Sequence, residues 1–148
     1  MRRAVSAAYY ALFHLLIYEA SRLVAKERNI VGLIARSYGH SKMLDVSKAF
    51  ANGRLPRKLN PWQAILNKAP RRPTVAKLEA IAQAFLDMQQ ARHDADYNLL
   101  KIFSRGEAKD LVALAEAAFS DWQTIRDDDL ARVYLACFLV FDDWNKER

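Results

Sequence analysis

Apolar residues recur along this chain mostly at spacings of three and four positions, and no stretch alternates between apolar and polar residues. Spacings of three and four place side chains on one face of an α-helix, whereas alternation marks a half-buried strand. The pattern therefore predicts an all-α protein, an antiparallel bundle of four to five helices. We expect a single domain over residues 1–148, because this length supports one well-buried core rather than two.

The first predicted helix spans residues 2–28, which contain neither glycine nor proline and carry apolar residues on nearly every side. Such a helix is mostly buried. Its basic start and apolar run superficially resemble a signal peptide, but His14 and Glu19 interrupt the run. The run is also too short and too polar to cross a membrane. We therefore expect a buried helix in a cytoplasmic protein that does not enter membranes.

Two shorter helical pieces are predicted in the middle of the chain. Gly32 and Gly39 bracket a predicted loop, after which a short helix runs to a stop at Asn52-Gly53. A single turn of helix is then predicted to begin at Pro61, since proline is well suited to the first helical position.

Three longer helices are predicted in the second half. The longest runs from Thr74, as N-cap, to about Ser104, before a break at Gly106. Its predicted core stripe consists of Leu78, Ile81, Ala82, Phe85, Met88, Ala95, Leu99 and Ile102. A second helix covers about 107–126, and a run of three aspartates suits the start of a final helix at about 129–145.

The net charge of +6 is unevenly distributed along the chain. Residues 51–75 carry six basic side chains, no acidic one and all four prolines, which predicts a basic, proline-containing loop at about 52–73. Residues 1–50 are also basic, whereas residues 76–148 hold 14 acidic against 9 basic side chains. The chain thus has a basic front half and an acidic back half.

The basic loop is a candidate nucleic-acid contact, because phosphates need only accessible Lys and Arg, and an exposed tryptophan can stack on a base. An ordinary solvated connection is the alternative. The candidate nucleic-acid-binding residues are Arg54, Arg57, Lys58, Trp62, Lys68, Arg71 and Arg72.

Composition and motifs exclude several classes of protein. A chain with 52% hydrophobic residues, 4 Gly and 4 Pro is neither disordered nor low in complexity. A single cysteine, Cys137, excludes an internal disulfide and a cysteine-based zinc cluster. The sequence contains no glycine-rich phosphate loop, no G-x-S-x-G motif and no histidines at ligand spacing, so we expect no metal and no cofactor.

Arg92 interrupts the apolar stripe of the long helix, and Asp96 follows one helical turn later. A cation and an acid at such positions are costly unless they are paired or used. We expect an Arg92–Asp96 ion pair at the rim of the core, in contact with Tyr10 or His14. The alternative is a functional site.

Three segments resemble the HEPN domain family. Residues 2–14, RRAVSAAYYALFH, resemble its first-helix pattern R-x-A-x-S-x-A-Y-Y-A-x-F-H. The run from His40 to Lys42 resembles the start of the second helix, and residues 92–97 resemble the R-x-x-A-D-Y segment. The resemblance covers about residues 1–104. It implies a bundle of four or five helices that forms a homodimer, and a metal-independent ribonuclease, often a toxin paired with a nucleotidyltransferase antitoxin or a component of phage defence.

The ribonuclease motif that the resemblance implies, an arginine followed four to six positions later by a histidine, is incomplete in this chain. Asp96 and Tyr97 stand four and five positions after Arg92, and no histidine falls in that window. An unperturbed tyrosine has a pKa near 10, which makes it a poor base at neutral pH. The motif therefore reads as degenerate, which disfavours an enzyme without excluding one.

We interpret the chain as a dimeric HEPN-like module that binds RNA, a nucleotide or a partner protein in a toxin–antitoxin or defence-type system. Two alternatives stay open. One is an active ribonuclease toxin, with Arg92, Asp96, Tyr97 and His14 as the candidate catalytic residues. The other is a structural adaptor whose basic front half binds an acidic partner protein.

Overall fold

A computed structural model describes residues 1–67 and 72–146 of the chain. In those two ranges it contains helices and no strand, which confirms the predicted all-α bundle. The α-helices are α1 (Arg2–Val24), α2 (Arg28–Ala35), α3 (His40–Ala51), α4 (Asn60–Asn67), α5 (Pro73–Tyr97), α6 (Arg105–Ile125) and α7 (Asp129–Asn145). A short 3-10 helix, Arg57–Leu59, precedes α4. No helix of the described residues combines the length and apolarity needed to span a membrane.

The bundle is organised around α5, which packs against α1, α3 and α6. Its buried residues surround the helix, with Val75, Leu78, Ile81, Ala82, Ala84, Phe85 and Met88 in one continuous core. Each large apolar side chain removed from water in this way stabilises the fold by about 1.5–3 kcal/mol. α1 runs antiparallel to α5, so that its first turns lie against the C-terminal turns of α5.

Two buried polar contacts connect further helices to this core. Ser47 on α3 and Tyr134 on α7 are fully buried, and their hydroxyl oxygens lie 2.8 Å apart in a hydrogen bond. The indole of the buried Trp122 on α6 donates to Glu19 on α1 at 3.1 Å. Because a buried polar group without a partner costs about 1–3 kcal/mol, these contacts fix how the helices pair.

The predicted end of the long helix was wrong. α5 ends at Tyr97 rather than at Ser104, and the expected core residues Leu99 and Ile102 are 86% and 85% exposed. The cause lies at the other end of the chain, because the Arg2 guanidinium donates to the carbonyl of Ala95 at 2.6 Å and to the carbonyl of Asn98 at 2.9 Å. Carbonyls that would accept backbone N–H groups if the helix continued accept hydrogen bonds from the Arg2 side chain instead.

Other helix ends depart from the prediction in smaller ways. α1 stops at Val24, and α2 occupies part of the predicted loop. α5 begins with Pro73 and has Arg72 as its N-cap, so Thr74 is not the cap. Gly106 lies inside α6, because Ser104 and Glu107 form a capping box that starts the helix before it.

Two predicted boundaries are confirmed. Asp128 is the N-cap of α7, and its carboxylate accepts from the backbone N–H of Leu130 at 2.9 Å. α3 ends at Ala51, and Gly53 follows with a φ of 66°, a left-handed conformation that glycine adopts without a steric penalty.

Candidate functional site

Three helices bring a set of polar and aromatic side chains together around one arginine. α1 contributes two tyrosines and a histidine, α3 contributes the histidine at its first position, and α5 contributes the arginine, an aspartate and a tyrosine. We call this set the Arg92 cluster; its members are Tyr9, Tyr10, His14, His40, Arg92, Asp96 and Tyr97. It contains all four candidate catalytic residues and three residues that were not among them, Tyr9, Tyr10 and His40.

Arg92 is held by two partners. One Nη donates to the Tyr10 hydroxyl at 2.9 Å, and Nε lies 2.8 Å from a carboxylate oxygen of Asp96. The second contact is a close ion pair without hydrogen-bond alignment, since the buried Nε has no hydrogen-bond partner among the described residues. The predicted Arg92–Asp96 ion pair and its contact with Tyr10 are thus confirmed. Ser6 donates to the other oxygen of Asp96 at 3.0 Å.

Three tyrosine rings surround the Arg92 guanidinium. Its Cζ lies 5.8 Å from the ring centroid of Tyr9, 5.5 Å from that of Tyr10 and 6.0 Å from that of Tyr97. A cation at these distances is attracted to the electron-rich ring faces. Burial is the largest single influence and acts to lower the pKa of Arg92, but Tyr10, Asp96 and Tyr97 together outweigh it, so the pKa is raised. The site therefore holds a permanent, oriented positive charge whose side chain is only 19% exposed.

His40 is the residue that the catalytic candidates omitted. Its Nδ1 lies 2.6 Å from the hydroxyl oxygen of Tyr9, and its ring stacks flat on Phe13 with the centroids 4.1 Å apart. The pKa of His40 is lowered by burial of the ring, and further by the nearby charges of Arg92 and His14. Although the residue as a whole is exposed, the covered ring face favours a neutral imidazole at pH 7.

The hydrogen bond between Tyr9 and His40 determines what the imidazole offers to a ligand. Tyr9 is fully buried, and burial raises its pKa to about 12, so it is a neutral phenol. A buried phenol needs an acceptor for its proton, and Nδ1 of His40 is the partner that the contacts of the described residues provide. The neutral ring then carries its own proton on Nε2, which is a hydrogen-bond donor and not a base.

His14 lies at the outer edge of the Arg92 cluster. Its exposed ring is stacked on Tyr10 with the centroids 6.0 Å apart and meets Phe13 edge-on at 5.4 Å. Among residues 1–67 and 72–146, no group of three His, Cys, Asp or Glu side chains is arranged to hold a metal ion.

Tyr97 gives the Arg92 cluster an exposed aromatic surface. The residue is 67% exposed and ends α5, and its ring centroid lies 5.0 Å from that of the exposed His93 one turn earlier. Two adjacent rings that face solvent beside a partly buried cation form a surface on which a flat ligand can stack.

The basic loop lies elsewhere, along α7. Arg72 pairs with Asp128 at 3.0 Å, and the backbone N–H of Arg57 donates to Asn145. Trp62 is 49% exposed and borders a cavity of about 270 Å³ that it shares with Arg72 and the aspartates at the start of α7. Arg54, Arg57 and Lys58 are exposed, while Lys68 and Arg71 lie outside the described residues. The structure therefore joins the loop to the acidic helix α7 rather than to Arg92.

The sequence contained one signal for His40. It follows Gly39 and opens the His40-to-Lys42 segment on which the family resemblance rests, 52 positions before Arg92. Spacing alone does not reveal such a pair, because the packing of α3 against α5 and of both against Tyr9 brings the two side chains together. Comparison of the chain with family models, with curated proteins and with solved structures finds no significant match.

Proposed function

We propose that this chain is a HEPN-like helical module that binds single-stranded RNA at the Arg92 cluster without cleaving it. One observation carries the proposal: an oriented guanidinium and an imidazole N–H donor flank the same buried tyrosine, Tyr9. Two donors of this kind suit a phosphate group, which accepts hydrogen bonds and carries negative charge.

Tyr97 and His93 supply the contact for a nucleobase. A base stacked on an exposed aromatic side chain gains about 1–3 kcal/mol with little dependence on sequence. The phosphate of the same nucleotide would then lie toward Arg92, whose guanidinium contacts the Tyr97 ring. Duplex RNA does not present unstacked bases, so the arrangement favours single strands.

A proton acceptor for the ribose 2′-hydroxyl directly beside Arg92 is the part of a ribonuclease that these contacts do not provide, since His14 lies at the outer edge of the Arg92 cluster. His40 uses Nδ1 to accept from Tyr9, and Asp96 is engaged by Ser6 and Arg92. The contacts of Tyr97 with described residues are made by its ring, to His93 and Arg92, and none of them takes the proton of its hydroxyl. Binding without cleavage therefore fits these side chains better than catalysis does.

Fluorescence anisotropy with a labelled single-stranded RNA at low salt tests the proposal. Arg92→Ala should weaken binding by tenfold or more and reduce the salt dependence by about one counterion, whereas Arg132→Ala, at an exposed arginine of α7, should change neither. Arg92→Lys keeps the charge but loses the planar donor geometry, so its RNA affinity should lie between the affinities of Arg92→Ala and Arg132→Ala. Circular dichroism checks that each variant is folded. No binding at low salt, or equal loss in both alanine variants, contradicts the proposal.

A metal-independent ribonuclease is the second candidate, and the exposed His14 imidazole beside Tyr10 favours it. In that case purified protein would cleave RNA in the presence of EDTA and leave a 2′,3′-cyclic phosphate. His14→Ala would abolish cleavage but retain RNA binding. Cleavage with that dependence would replace the binding-only proposal.

The cellular role that we propose follows the resemblance: a component of a toxin–antitoxin or defence-type system with a nucleotidyltransferase-type antitoxin as partner. Co-expression and co-purification with such a protein from the same operon is the direct test. A stable complex that masks the RNA site would support this role, and absence of any complex would contradict it.

A further inference from the structure

A row of aromatic and basic side chains continues along α1 from the Arg92 cluster. Its members stand four positions apart, and they are Tyr10, His14, Tyr18 and Arg22. Residues at this spacing are neighbours on one helix face, so the row is continuous and about 18 Å long at about 1.5 Å per residue. Tyr10 is half-buried, whereas the other three residues are exposed. We call these four residues the α1 ridge.

The far end of the α1 ridge repeats the arrangement found at Arg92. A guanidinium nitrogen of Arg22 donates to the Tyr18 hydroxyl at 3.1 Å, and Cζ of Arg22 lies 5.6 Å from the centroid of the Tyr18 ring. The corresponding distances from Arg92 to the hydroxyl and the ring of Tyr10 are 2.9 Å and 5.5 Å. Each pair therefore presents a guanidinium that is oriented by both the hydroxyl and the ring of a tyrosine.

The charge of Arg22 is available to a ligand. The residue is exposed, and no carboxylate pairs with it among residues 1–67 and 72–146. The sequence of α1 contains a single acidic residue, Glu19, whose two carboxylate oxygens accept from Trp122 and Arg126. The α1 ridge thus carries positive charge and contains no acidic residue, which suits an anionic ligand.

His14 connects the two tyrosine–arginine pairs. Its exposed ring is stacked on Tyr10 with the centroids 6.0 Å apart, and Tyr18 follows one turn later with 48% of its surface exposed. Exposed aromatic rings stack on nucleobases with little dependence on sequence, and guanidinium groups contact phosphates. Tyr10 and Tyr18 are eight positions apart, which is about 12 Å along the helix axis. The α1 ridge therefore offers alternating contacts for bases and phosphates over more than one nucleotide.

We propose that the α1 ridge is a second subsite for single-stranded RNA, so that one strand runs along α1 from the Arg92 cluster to the Tyr18–Arg22 pair. This inference rests on the proposed function, because it extends the same bound strand. The antiparallel packing of α1 and α5 places the C-terminal turns of α5 beside the first turns of α1 and leaves the Tyr18–Arg22 pair at the opposite end. The ligand is then an unpaired strand of about four nucleotides or more rather than a mononucleotide.

Binding of RNA of two lengths tests the proposal. A dinucleotide reaches only the Arg92 cluster, whereas a hexanucleotide also reaches Tyr18 and Arg22. Anisotropy of a labelled hexanucleotide, with the dinucleotide as competitor, should show about tenfold tighter binding of the longer RNA to the wild type. Tyr18→Ala and Arg22→Ala should each weaken hexanucleotide binding by about fivefold or more and leave dinucleotide binding unchanged. Arg132→Ala is the matched charge control and should alter neither affinity. Circular dichroism checks that each variant is folded.

The variants separate failure of this inference from failure of the RNA site. If Arg92→Ala weakens the binding of both lengths while the two ridge variants match the control, RNA binds at the Arg92 cluster alone and the inference is wrong. If Arg92→Ala also matches the control, the proposed RNA site itself is wrong, and the ridge subsite with it. Loss of the length dependence in Trp62→Ala instead would place the rest of the strand on the basic loop.

Photo-cross-linking follows the strand without altering the protein. Hexanucleotides that carry one iodouridine, at the 5′ end or at the 3′ end, are irradiated on the wild-type chain, and mass spectrometry identifies the modified residue. One end should cross-link to Tyr18 and the other end to Tyr97, because the strand runs from one to the other. Cross-linking of both ends to the same tyrosine, or of either end to Trp62, would contradict this path.

Discussion

The Arg92 guanidinium donates a hydrogen bond to the Tyr10 hydroxyl at 2.9 Å and thereby joins the C-terminal part of α5 to the first half of α1. The two residues are 82 positions apart in the chain. The contact has two consequences. It offsets part of the desolvation penalty of a partly buried cation, and it fixes the direction in which the guanidinium faces. The stability of the bundle and the geometry of the proposed RNA site therefore depend on the same bond.

Replacement of Tyr10 by phenylalanine removes this bond while it keeps the ring. Because hydrogen bonds to charged groups contribute about 1.5–3 kcal/mol and this one is partly buried, we expect the free energy of unfolding to fall by about 1–2 kcal/mol. RNA affinity should fall with it. Urea denaturation gives the measurement. Tyr18→Phe removes a comparable bond to Arg22 on the exposed face of α1 and should cost less than about 0.5 kcal/mol. Equal effects of the two changes would show that the Arg92 bond has no special role.

Arg2→Ala should loosen the end of α5. Its guanidinium donates to several carbonyls at and beyond the last turn of that helix, so we expect a loss of about 2–3 kcal/mol and faster amide exchange at Asn98 and Lys101. Hydrogen exchange followed by mass spectrometry provides the readout. The neighbouring Arg3 is exposed, and Arg3→Ala should leave the exchange of this segment unchanged. Protection retained after loss of Arg2 would argue against its capping role.

Ser47→Ala leaves the buried hydroxyl of Tyr134 without its partner and should cost about 1–3 kcal/mol in thermal or urea unfolding. The double variant Ser47→Ala with Tyr134→Phe removes both polar groups. Its loss should be smaller than the sum of the two single losses, because no unpaired hydroxyl remains in the core. Ser41→Ala, at an exposed serine of the same helix, is the control. Strict additivity would show that the two hydroxyls do not depend on each other.

Acidification should destabilise the fold in part through His40. Burial, Arg92 and His14 hold the pKa of His40 below its ordinary value of 6.5. The unfolded chain therefore binds a proton at a higher pH than the folded chain does, and the free energy of unfolding falls as the pH decreases below about 6.5. Unfolding curves at several pH values measure the slope. His40→Gln should flatten the slope, whereas His93→Gln, at an exposed histidine, should preserve it. A steeper dependence of the free energy of unfolding on pH after loss of His40 would contradict this prediction.

Much of the helical architecture was predictable from local pattern. The spacing of apolar residues predicted an all-α bundle, and the aspartate run predicted the start of α7 at Asp128. The Arg92–Asp96 ion pair was also predictable, because residues four apart meet on one helix face. These features share a cause: each depends on side chains within one or two helical turns.

The tertiary structure decided the features that join distant segments. Apolar periodicity continues past Tyr97, yet α5 ends there. The guanidinium of Arg2, at the start of α1, donates hydrogen bonds to carbonyls in the last turn of α5. Because the helix ends at Tyr97, Leu99 and Ile102 are exposed, although the periodicity predicted them in the core. Hydrophobic pattern indicates where a helix can continue, whereas its actual end depends on competing hydrogen bonds, here from the Arg2 guanidinium and from the N–H groups of Leu100 and Lys101 to the side chain of Asn98.

The candidate site shows the same division. The sequence by itself determined that Arg92 needed a partner and that Asp96 would lie beside it. Only the packing of α1, α3 and α5 brought His40 to Tyr9 beside Arg92, where burial of the ring lowers the pKa of His40. A protonation state of this kind depends on burial and on the neighbouring donor, and both arise when separate helices pack together.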